Sequence, residues 1–168
     1  VHHMFENGLF PHLVNTGKPV YGYMYKGYWL DMGNPAHYYH INMDMMARKI
    51  ACLTQSNIGS KSVYNKKRVK ISLKSEITSP AVIGDGCIIG PGVKIKGPAI
   101  IGRECRIHEN AVIEESVIWD GVTVGANARI KNCIVSSGAL IADSQVSENS
   151  IVTHAQTIPL SPAAGGKK

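Results

Sequence analysis

The chain has 168 residues, a hydrophobic fraction of 44% and a formal net charge of +6 at pH 7. This length and composition allow a real hydrophobic core and exclude a wholly disordered protein. No run of about 18 apolar residues occurs and the amino terminus lacks the order of a signal peptide, so we expect a cytoplasmic protein with no membrane association. Because the first residue is Val1, we expect the chain to be the back part of a longer protein.

The first predicted element is a short helix. Phe5, Leu9 and Leu13 recur at four-residue spacing, which is typical of one helical face. The sequence 15–17, Asn-Thr-Gly, predicts its end.

A β-hairpin is predicted next, with strands over residues 19–25 and 28–31 and Lys26-Gly27 as the turn. A second helix should follow, because Asn34 and Pro35 suit the cap and the first helical position. The residues expected to form its buried stripe are Tyr38, Ile41, Met45 and Met46. These elements make a small α/β unit over residues 1–52, whose core would be thin on its own.

The stretch 27–35, Gly-Tyr-Trp-Leu-Asp-Met-Gly-Asn-Pro, resembles the end of the catalytic domain in sugar-1-phosphate nucleotidyltransferases. The usual pattern in that family is G-Y-W-x-D-I-G-T-P, so Met32 and Asn34 depart from it. Mannose-1-phosphate guanylyltransferases are the most similar members, with the glucose-1-phosphate thymidylyl- and adenylyltransferases behind them. We therefore interpret residues 1–52 as the carboxy-terminal edge of such a domain.

The resemblance implies roles for three residues of this stretch. Asp31 matches an aspartate that helps to hold Mg²⁺ between the phosphates of the nucleoside triphosphate and the sugar 1-phosphate, and a carboxylate suits such a hard cation. Trp29 and Gly33 would border the substrate. The alternatives are that Asp31 is only an anion near a helix start or a turn residue, that Trp29 belongs to a core, and that Gly33 serves backbone geometry.

The family resemblance is incomplete in this chain. The glycine-rich nucleotide loop G-x-G-T-R-x-x-P-x-T, a second metal-binding aspartate and a phosphate-binding lysine do not occur. The parent protein would convert a nucleoside triphosphate and a sugar 1-phosphate to a nucleotide-sugar and pyrophosphate, with GDP-mannose favoured. The chain alone should be inactive.

A basic linker is predicted over residues 53–68. Six cations cluster in and just after it: Lys61, Lys66, Lys67, Arg68, Lys70 and Lys74. Tyr64 is the single aromatic residue among them, and the repeated aromatic interleaving of many nucleic-acid sites does not occur, so we expect a solvated segment and no nucleic-acid partner.

A six-residue repeat dominates the second half. The isoleucines that define it are Ile77, Ile83, Ile89, Ile95, Ile101, Ile107 and Ile113. Small or slim residues precede them by two positions from Ile83 onward: Ala81, Cys87, Val93, Ala99, Cys105 and Ala111. After Ile113 five-residue spacings interrupt the pattern. Period six does not suit a helix, and turn residues separate the short strands.

Such a repeat predicts a parallel β-helix in which three rungs make one coil. The pattern resembles the hexapeptide-repeat family, and this resemblance implies a left-handed coil over residues 69–155. Cys87, Cys105, Val122 and Ala139 should then share one internal column, and Cys133 should share another with Ala99 and Val117. We interpret the cysteines, including Cys52, as reduced core residues, because no C-x-x-C pair indicates zinc.

Two rival functions remain open. A hexapeptide acyltransferase could use His108 as its base, since a histidine near neutrality suits proton abstraction. Alternatively the β-helix could be a non-catalytic subunit that forms a homo-oligomer. Residues 145–150 resemble a polar cap, and residues 156–168 are predicted to be a flexible tail.

Overall fold

The computed structural model describes residues 4–47, 49–50 and 68–160. A π-helical turn, Phe5–Leu9, leads into helix α1, Phe10–Asn15, and helix α2 spans Pro35–Met46. The strands from residue 70 onward are short: β1 (Lys70–Ile71), β2 (Glu76–Thr78), β3 (Ala81–Ile83), β4 (Ile88–Ile89), β5 (Lys94–Lys96), β6 (Ala99–Ile101), β7 (Arg106–Ile107), β8 (Val112–Glu114), β9 (Val117–Ile118), β10 (Thr123–Val124), β11 (Arg129–Lys131), β12 (Ile134–Val135), β13 (Leu140–Ile141), β14 (Val146–Glu148), β15 (Ser150–Val152) and β16 (Thr157–Pro159).

The predicted first helix is present and ends where the sequence places its end. Gly17 follows α1 with φ +65°, a conformation that glycine adopts without steric cost. The predicted hairpin over residues 19–31 is wrong, because the described residues between α1 and α2 form no strand. Tyr21 and Tyr23 are 91% and 90% exposed there. An isolated two-stranded hairpin is marginally stable, and no covered face stabilises one here. Before β1, the described part of the predicted α/β unit is therefore helical only.

Helix α2 begins as predicted, since the Oδ1 atom of Asn34 accepts a hydrogen bond of 2.8 Å from the N–H of His37. Its predicted buried stripe is only partly correct. Ala36, Tyr39 and Met46 are buried, whereas the predicted Tyr38, Ile41 and Met45 are half-buried. The apolar residues of α2 are distributed over several sides of the helix, so their spacing alone could not identify the face that packs.

The strands from residue 70 onward build a three-sided parallel β-helix of five coils. Its sheets follow the orders β1-β4-β7-β10-β13, β2-β5-β8-β11-β14 and β3-β6-β9-β12-β15-β16. We call them sheets 1, 2 and 3. Paired residues are 18 positions apart in the early coils, as in Ile88↔Arg106, and 17 apart later, as in Arg106↔Thr123.

The six-residue repeat forms the core as predicted. From Ile83 to Ile113 every isoleucine of the repeat is at most 3% exposed, and the small residues that precede them are equally buried. Ile77, in the first coil, is half-buried and packs against this core. Like residues therefore stack from coil to coil and form one continuous hydrophobic core.

The five-residue spacings fall at one corner of the β-helix, between sheets 2 and 3. The first two coils turn this corner with Pro80 and Pro98. The later three coils have one residue fewer, and their corner residues have positive φ: Glu115 (44°), Asn132 (52°) and Asn149 (48°). In the later three coils, a single residue in the left-handed backbone conformation thus replaces the longer turn of the first two coils.

This shortening corrects one predicted column. Cys87, Cys105, Val122 and Ala139 do stack in register. In the other column Ser116, not Val117, lies with Ala99 and Cys133, because Ile100 pairs with Val117. Ser116 is fully buried, and its Oγ accepts the N–H of Cys133 at 3.1 Å.

The carboxy-terminal end differs from the predicted boundary at residue 155. Strand β16 pairs antiparallel with β15, and the N–H of Leu160 donates to the carbonyl of Asn149 at 2.7 Å. In the predicted cap, Ser147 occupies the inward position held by isoleucine in earlier coils and is 4% exposed. Cys52, the linker over 53–67 and the tail beyond 160 lie outside the described residues.

Candidate functional site

The segment that carries Asp31 is anchored at the amino-terminal end of α2. The imidazole Nδ1 of His37 lies within hydrogen-bonding distance of the carbonyl oxygen of Asp31. The Asp31 carboxylate itself is exposed. A Cβ atom at Gly33 would come 3.1 Å from its Oδ2 atom, so glycine leaves room beside the carboxylate. Asp31 is therefore held by its backbone while its side chain faces solvent.

Trp29 is also exposed, at 78% of its surface, so it does not belong to a core formed by the described residues. Its neighbour Tyr28 points the other way and donates a hydrogen bond of 2.9 Å to Oδ2 of Asp44 in α2. Exposure alternates from residue 28 to residue 31, with Tyr28 and Leu30 half-buried and Trp29 and Asp31 exposed. Trp29 and Asp31 consequently share the outer side of the segment.

Asp44 connects the segment to the helix. Its Oδ1 accepts a hydrogen bond of 2.7 Å from Nζ of Lys49. Partial burial alone would raise the pKa of the Asp44 carboxyl, but the hydrogen bonds from Lys49 and Tyr28 outweigh it and hold that pKa below its usual value. Burial, together with the hydrogen bond to Asp44, raises the pKa of Tyr28 to about 12.

Helix α2 packs on the outer face of sheet 3. Tyr39 lies against Val117 and Ile134, with Ile100 and Ile151 beside them. These outward positions are aliphatic, whereas the outward positions of β5 in sheet 2 are lysines. The apolar outer column is the sequence signal that could have identified this docking face.

Two tyrosines of α2 also bond to the β-helix. The hydroxyl of Tyr39 donates to the carbonyl of Glu115 at 2.8 Å, and burial raises its pKa to about 12. Nε1 of Trp119 donates to the hydroxyl of Tyr38 at 3.2 Å, with the two rings edge to face at 6.0 Å. Trp119 occupies the corner position that Gly84 and Gly102 hold in earlier coils. Sequence reasoning missed these contacts.

His108 directly follows strand β7 of sheet 1. It lines an open groove of about 670 Å³ with Arg106 and Thr123. Within the described part of the chain, no side chain or carbonyl hydrogen-bonds to its imidazole. A general base is normally oriented by such a partner, so the geometry adds no support to an acyltransferase role for His108.

The three described cysteines fill the core as reduced thiols. Each donates to a carbonyl of the next coil: Cys87 to Gly102 at 3.0 Å, Cys105 to Trp119 at 3.1 Å and Cys133 to Ser147 at 3.3 Å. Burial raises the pKa of the Cys133 thiol. A buried, protonated thiol is a poor nucleophile and a poor metal ligand.

Asp31 is one candidate ligand for a magnesium ion. Among residues 4–47, 49–50 and 68–160, no three histidine, cysteine or acidic side chains cluster as a metal site. Mg²⁺ is commonly held by one or two carboxylates together with substrate phosphates, so an exposed carboxylate at this position fits part of such a site.

The family assignment follows from the repeat and its three-sided coil. The model of the EIF2B subunit epsilon LbH domain matches residues 60–161. The chain belongs to this family. LbH denotes the left-handed β-helix, so the expected hand of the coil is confirmed, and the LbH domain includes β16.

Curated relatives extend the similarity beyond the LbH domain. The chain is 32% identical over 142 residues to a UTP–glucose-1-phosphate uridylyltransferase of Synechocystis sp., covering 79% of the chain and 37% of the relative. It is 28% identical over 163 residues to a glucose-1-phosphate adenylyltransferase of Trichlorobacter lovleyi, covering 83% and 38%. The chain thus spans less than two fifths of these relatives and is homologous to sugar-1-phosphate nucleotidyltransferases.

A solved structure of serine acetyltransferase isoform 3 from Entamoeba histolytica is also similar, with 21% identity and a TM-score of 0.37 over 60% of this chain and 38% of that one.

In the described ranges, no helix is long and apolar enough to cross a bilayer.

Proposed function

We propose that the chain is the carboxy-terminal part of a sugar-1-phosphate nucleotidyltransferase, in which residues 1–52 complete the edge of the catalytic domain and the LbH domain supports it. The extent of the match to the uridylyltransferase supports this proposal. Residues 60–168 are less than two thirds of the chain, so a match over 79% includes residues before the LbH domain. The match to the adenylyltransferase of Trichlorobacter lovleyi covers 83% of the chain, so it must include Asp31 even if it extends to Lys168.

The proposed reaction is an in-line displacement at phosphorus. A phosphate oxygen of the sugar 1-phosphate attacks the α-phosphorus of the nucleoside triphosphate, a new P–O bond forms, and the bond to pyrophosphate breaks. When bound, Mg²⁺ would neutralise the crowded phosphates. Asp31 would supply one carboxylate to that ion, and Trp29 and Gly33 would border the sugar phosphate.

The nucleotide and sugar are a finer question. The motif around Trp29 and Asp31 most resembles that of mannose-1-phosphate guanylyltransferases, with the glucose-1-phosphate thymidylyl- and adenylyltransferases behind them. The relatives named above are, by their names, a uridylyltransferase and an adenylyltransferase of glucose 1-phosphate. The outward position of Trp29 and Asp31 on one side of the segment fits a role at a ligand surface. We propose GDP-mannose synthesis as the first activity to test.

The test uses the native full-length protein that contains this chain. Pyrophosphate release is measured with Mg²⁺ for each combination of UTP, ATP or GTP with glucose 1-phosphate or mannose 1-phosphate. Activity that requires both substrates supports the proposal, and the most efficient pair identifies the nucleotide-sugar. No release with any pair, from a folded protein, would leave the non-catalytic assembly role as the better account.

The isolated 168-residue chain should release no pyrophosphate under the same conditions. Its described residues provide Asp31 but no clustered metal site, and the glycine-rich nucleotide loop is absent from its sequence. Turnover by the isolated chain would contradict this part of the proposal.

A further inference from the structure

The segment that carries Asp31 is attached to helix α2 by two side-chain hydrogen bonds. The hydroxyl of Tyr28 donates to Oδ2 of Asp44 at 2.9 Å, and the imidazole Nδ1 of His37 donates to the carbonyl oxygen of Asp31. A carbonyl oxygen carries no proton, so Nδ1 is the donor of the second bond. His37 therefore holds the peptide group of Asp31 directly, whereas Tyr28 holds the chain three residues earlier.

The position of His37 is fixed by the start of α2. His37 is the third residue of the helix after the cap residue Asn34, and its N–H donates to Oδ1 of Asn34 at 2.8 Å. Its side chain is half-buried and reaches back to Asp31. His37 thus donates two hydrogen bonds from the helix to the preceding segment. Because both bonds come from one helical residue, the Asp31 peptide should follow any movement of this end of α2.

The two residues after His37 connect the same turn of α2 to the LbH domain. The hydroxyl of Tyr38 accepts a hydrogen bond of 3.2 Å from Nε1 of Trp119, and the hydroxyl of Tyr39 donates to the carbonyl of Glu115 at 2.8 Å. Consecutive helical residues are separated by a rise of about 1.5 Å along the axis. Less than one turn of the helix therefore contacts both the Asp31 segment and the LbH domain.

We propose that His37 is a positioning residue for Asp31 and that it transmits the docking of α2 on the LbH domain to the metal-binding carboxylate. This inference rests on the proposed function, in which Asp31 supplies one carboxylate to Mg²⁺. Mg²⁺ demands near-ideal octahedral geometry, so a carboxylate ligand must be held in one direction. Replacing a residue that orients a metal ligand commonly weakens metal affinity by about 10- to 100-fold. His37 would act through the backbone of Asp31 and not as a metal ligand itself.

The surroundings of Asp31 explain why this bond should determine the direction of its carboxylate. The carboxylate is exposed, and Gly33 places no side chain against its Oδ2 atom. Side-chain packing therefore does not fix it. Two residues separate Asp31 from the anchored Tyr28, and their backbone torsions could turn the carboxylate if the His37 bond were lost. We therefore expect loss of the His37 side chain to change metal affinity more than the stability of the fold.

The first test measures metal binding without turnover in the native full-length protein. Mn²⁺ is titrated in the presence of GTP, ATP or UTP and in the absence of a sugar 1-phosphate, and free Mn²⁺ is followed by electron paramagnetic resonance. His37→Ala should raise the dissociation constant of Mn²⁺ by about 5-fold or more, because one orienting hydrogen bond is lost. In the pyrophosphate assay, the Mg²⁺ concentration for half-maximal rate should rise similarly, whereas kcat at saturating Mg²⁺ should stay within about 2-fold.

Two amide replacements separate positioning from a general structural role. His37→Asn places a side-chain N–H at the position of Nδ1 and should restore metal affinity, whereas His37→Gln places it one carbon further and should behave as His37→Ala. The matched control is His154→Ala, because His154 is exposed between β15 and β16 and its loss should leave Mn²⁺ binding unchanged. The thermal midpoint of each His37 variant should stay within about 2 °C of the wild type.

A double variant tests the connection to the LbH domain. Tyr39→Phe should also weaken Mn²⁺ binding, by about 2-fold or more. This effect should disappear in the His37→Ala background, because both substitutions act through the bond to Asp31. Equal effects of Tyr39→Phe in the two backgrounds would overturn the proposed transmission.

The outcomes distinguish this inference from the proposed function on which it rests. Wild-type Mn²⁺ binding by His37→Ala, in a protein in which Asp31→Asn weakens that binding, would overturn the role of His37 and leave the proposed function standing. The same holds if His37→Asn binds Mn²⁺ no better than His37→Gln. Wild-type Mn²⁺ binding by Asp31→Asn would instead overturn the proposed metal site, and the role of His37 with it.

Discussion

The hydroxyl of Tyr39 in α2 donates a hydrogen bond of 2.8 Å to the backbone carbonyl of Glu115, at a corner of the LbH domain. The φ of Glu115 is +44°, a value imposed by the shortened corner. The corner at which the six-residue spacing is interrupted is thus also a contact site of helix α2. Through α2, this contact links the LbH domain to the segment that carries Asp31.

Loss of the Tyr39 hydroxyl should loosen α2 without unfolding the LbH domain. Tyr39→Phe removes the bond to Glu115 and should destabilise the docked helix by about 1 kcal/mol. Hydrogen exchange followed by mass spectrometry should show faster exchange in residues 35–46 and unchanged exchange in β6 to β12.

The control for this variant is Tyr21→Phe, because Tyr21 is 91% exposed. Equal exchange in α2 for the two variants would show that the Tyr39 bond does not hold the helix.

Ser116 should be more important for stability than its exposed counterpart Ser137. Ser116→Ala leaves the buried N–H of Cys133 without its acceptor, which costs about 1–3 kcal/mol. The thermal midpoint should fall by several degrees (roughly 4 °C or more). Ser137→Ala, at an exposed corner, should leave the midpoint within about 1 °C. A midpoint for Ser116→Ala that matches this control would contradict the register that places Ser116 inside.

The contact between Tyr28 and Asp44 should depend on pH. Because folding lowers the pKa of Asp44, the contact contributes stability above the ordinary carboxyl pKa and loses it as the pH falls through the lower, folded value. The thermal midpoint of the wild type should therefore exceed that of Asp44→Asn at pH 7, and the difference should shrink below about pH 4.

A suitable control is Asp143→Asn, which changes a carboxylate in the LbH domain. Unlike Asp44→Asn, it should not alter hydrogen exchange of residues 28–31. If the difference between wild type and Asp44→Asn were constant from pH 7 to pH 3, ionisation of Asp44 would not stabilise this contact.

The sequence predicted the core of the LbH domain well because its signal is redundant. Seven isoleucines at a spacing of six define the inward direction without reference to any distant residue. The predicted internal column is wrong at Val117. The corner before it has one residue fewer, and Ser116 therefore points inward instead. A serine inside and a valine outside contradict the usual preference, and only the strand register decides between them.

The helical segment was less predictable because its structure depends on distant contacts. Tyr39 is buried by Val117 and Ile134, which lie far away in sequence. The residues predicted as a hairpin had suitable strand composition but no sheet neighbour among the described residues. Asp31, Trp29 and Gly33 remain predictions from resemblance, and the structure adds that Asp31 and Trp29 are exposed.

The most direct measurement compares Asp31→Asn with Asp85→Asn in the native full-length protein, by pyrophosphate release over a range of Mg²⁺ concentrations. Asp85 is a surface carboxylate paired with Arg68 in the LbH domain, 3.0 Å from Nη1, so its replacement should leave activity unchanged. Asp31→Asn should reduce kcat/KM by about 100-fold or more and raise the Mg²⁺ concentration needed for half-maximal rate. Equal activity of the two variants at every Mg²⁺ concentration would contradict a metal-binding role for Asp31 and, with it, the proposed site.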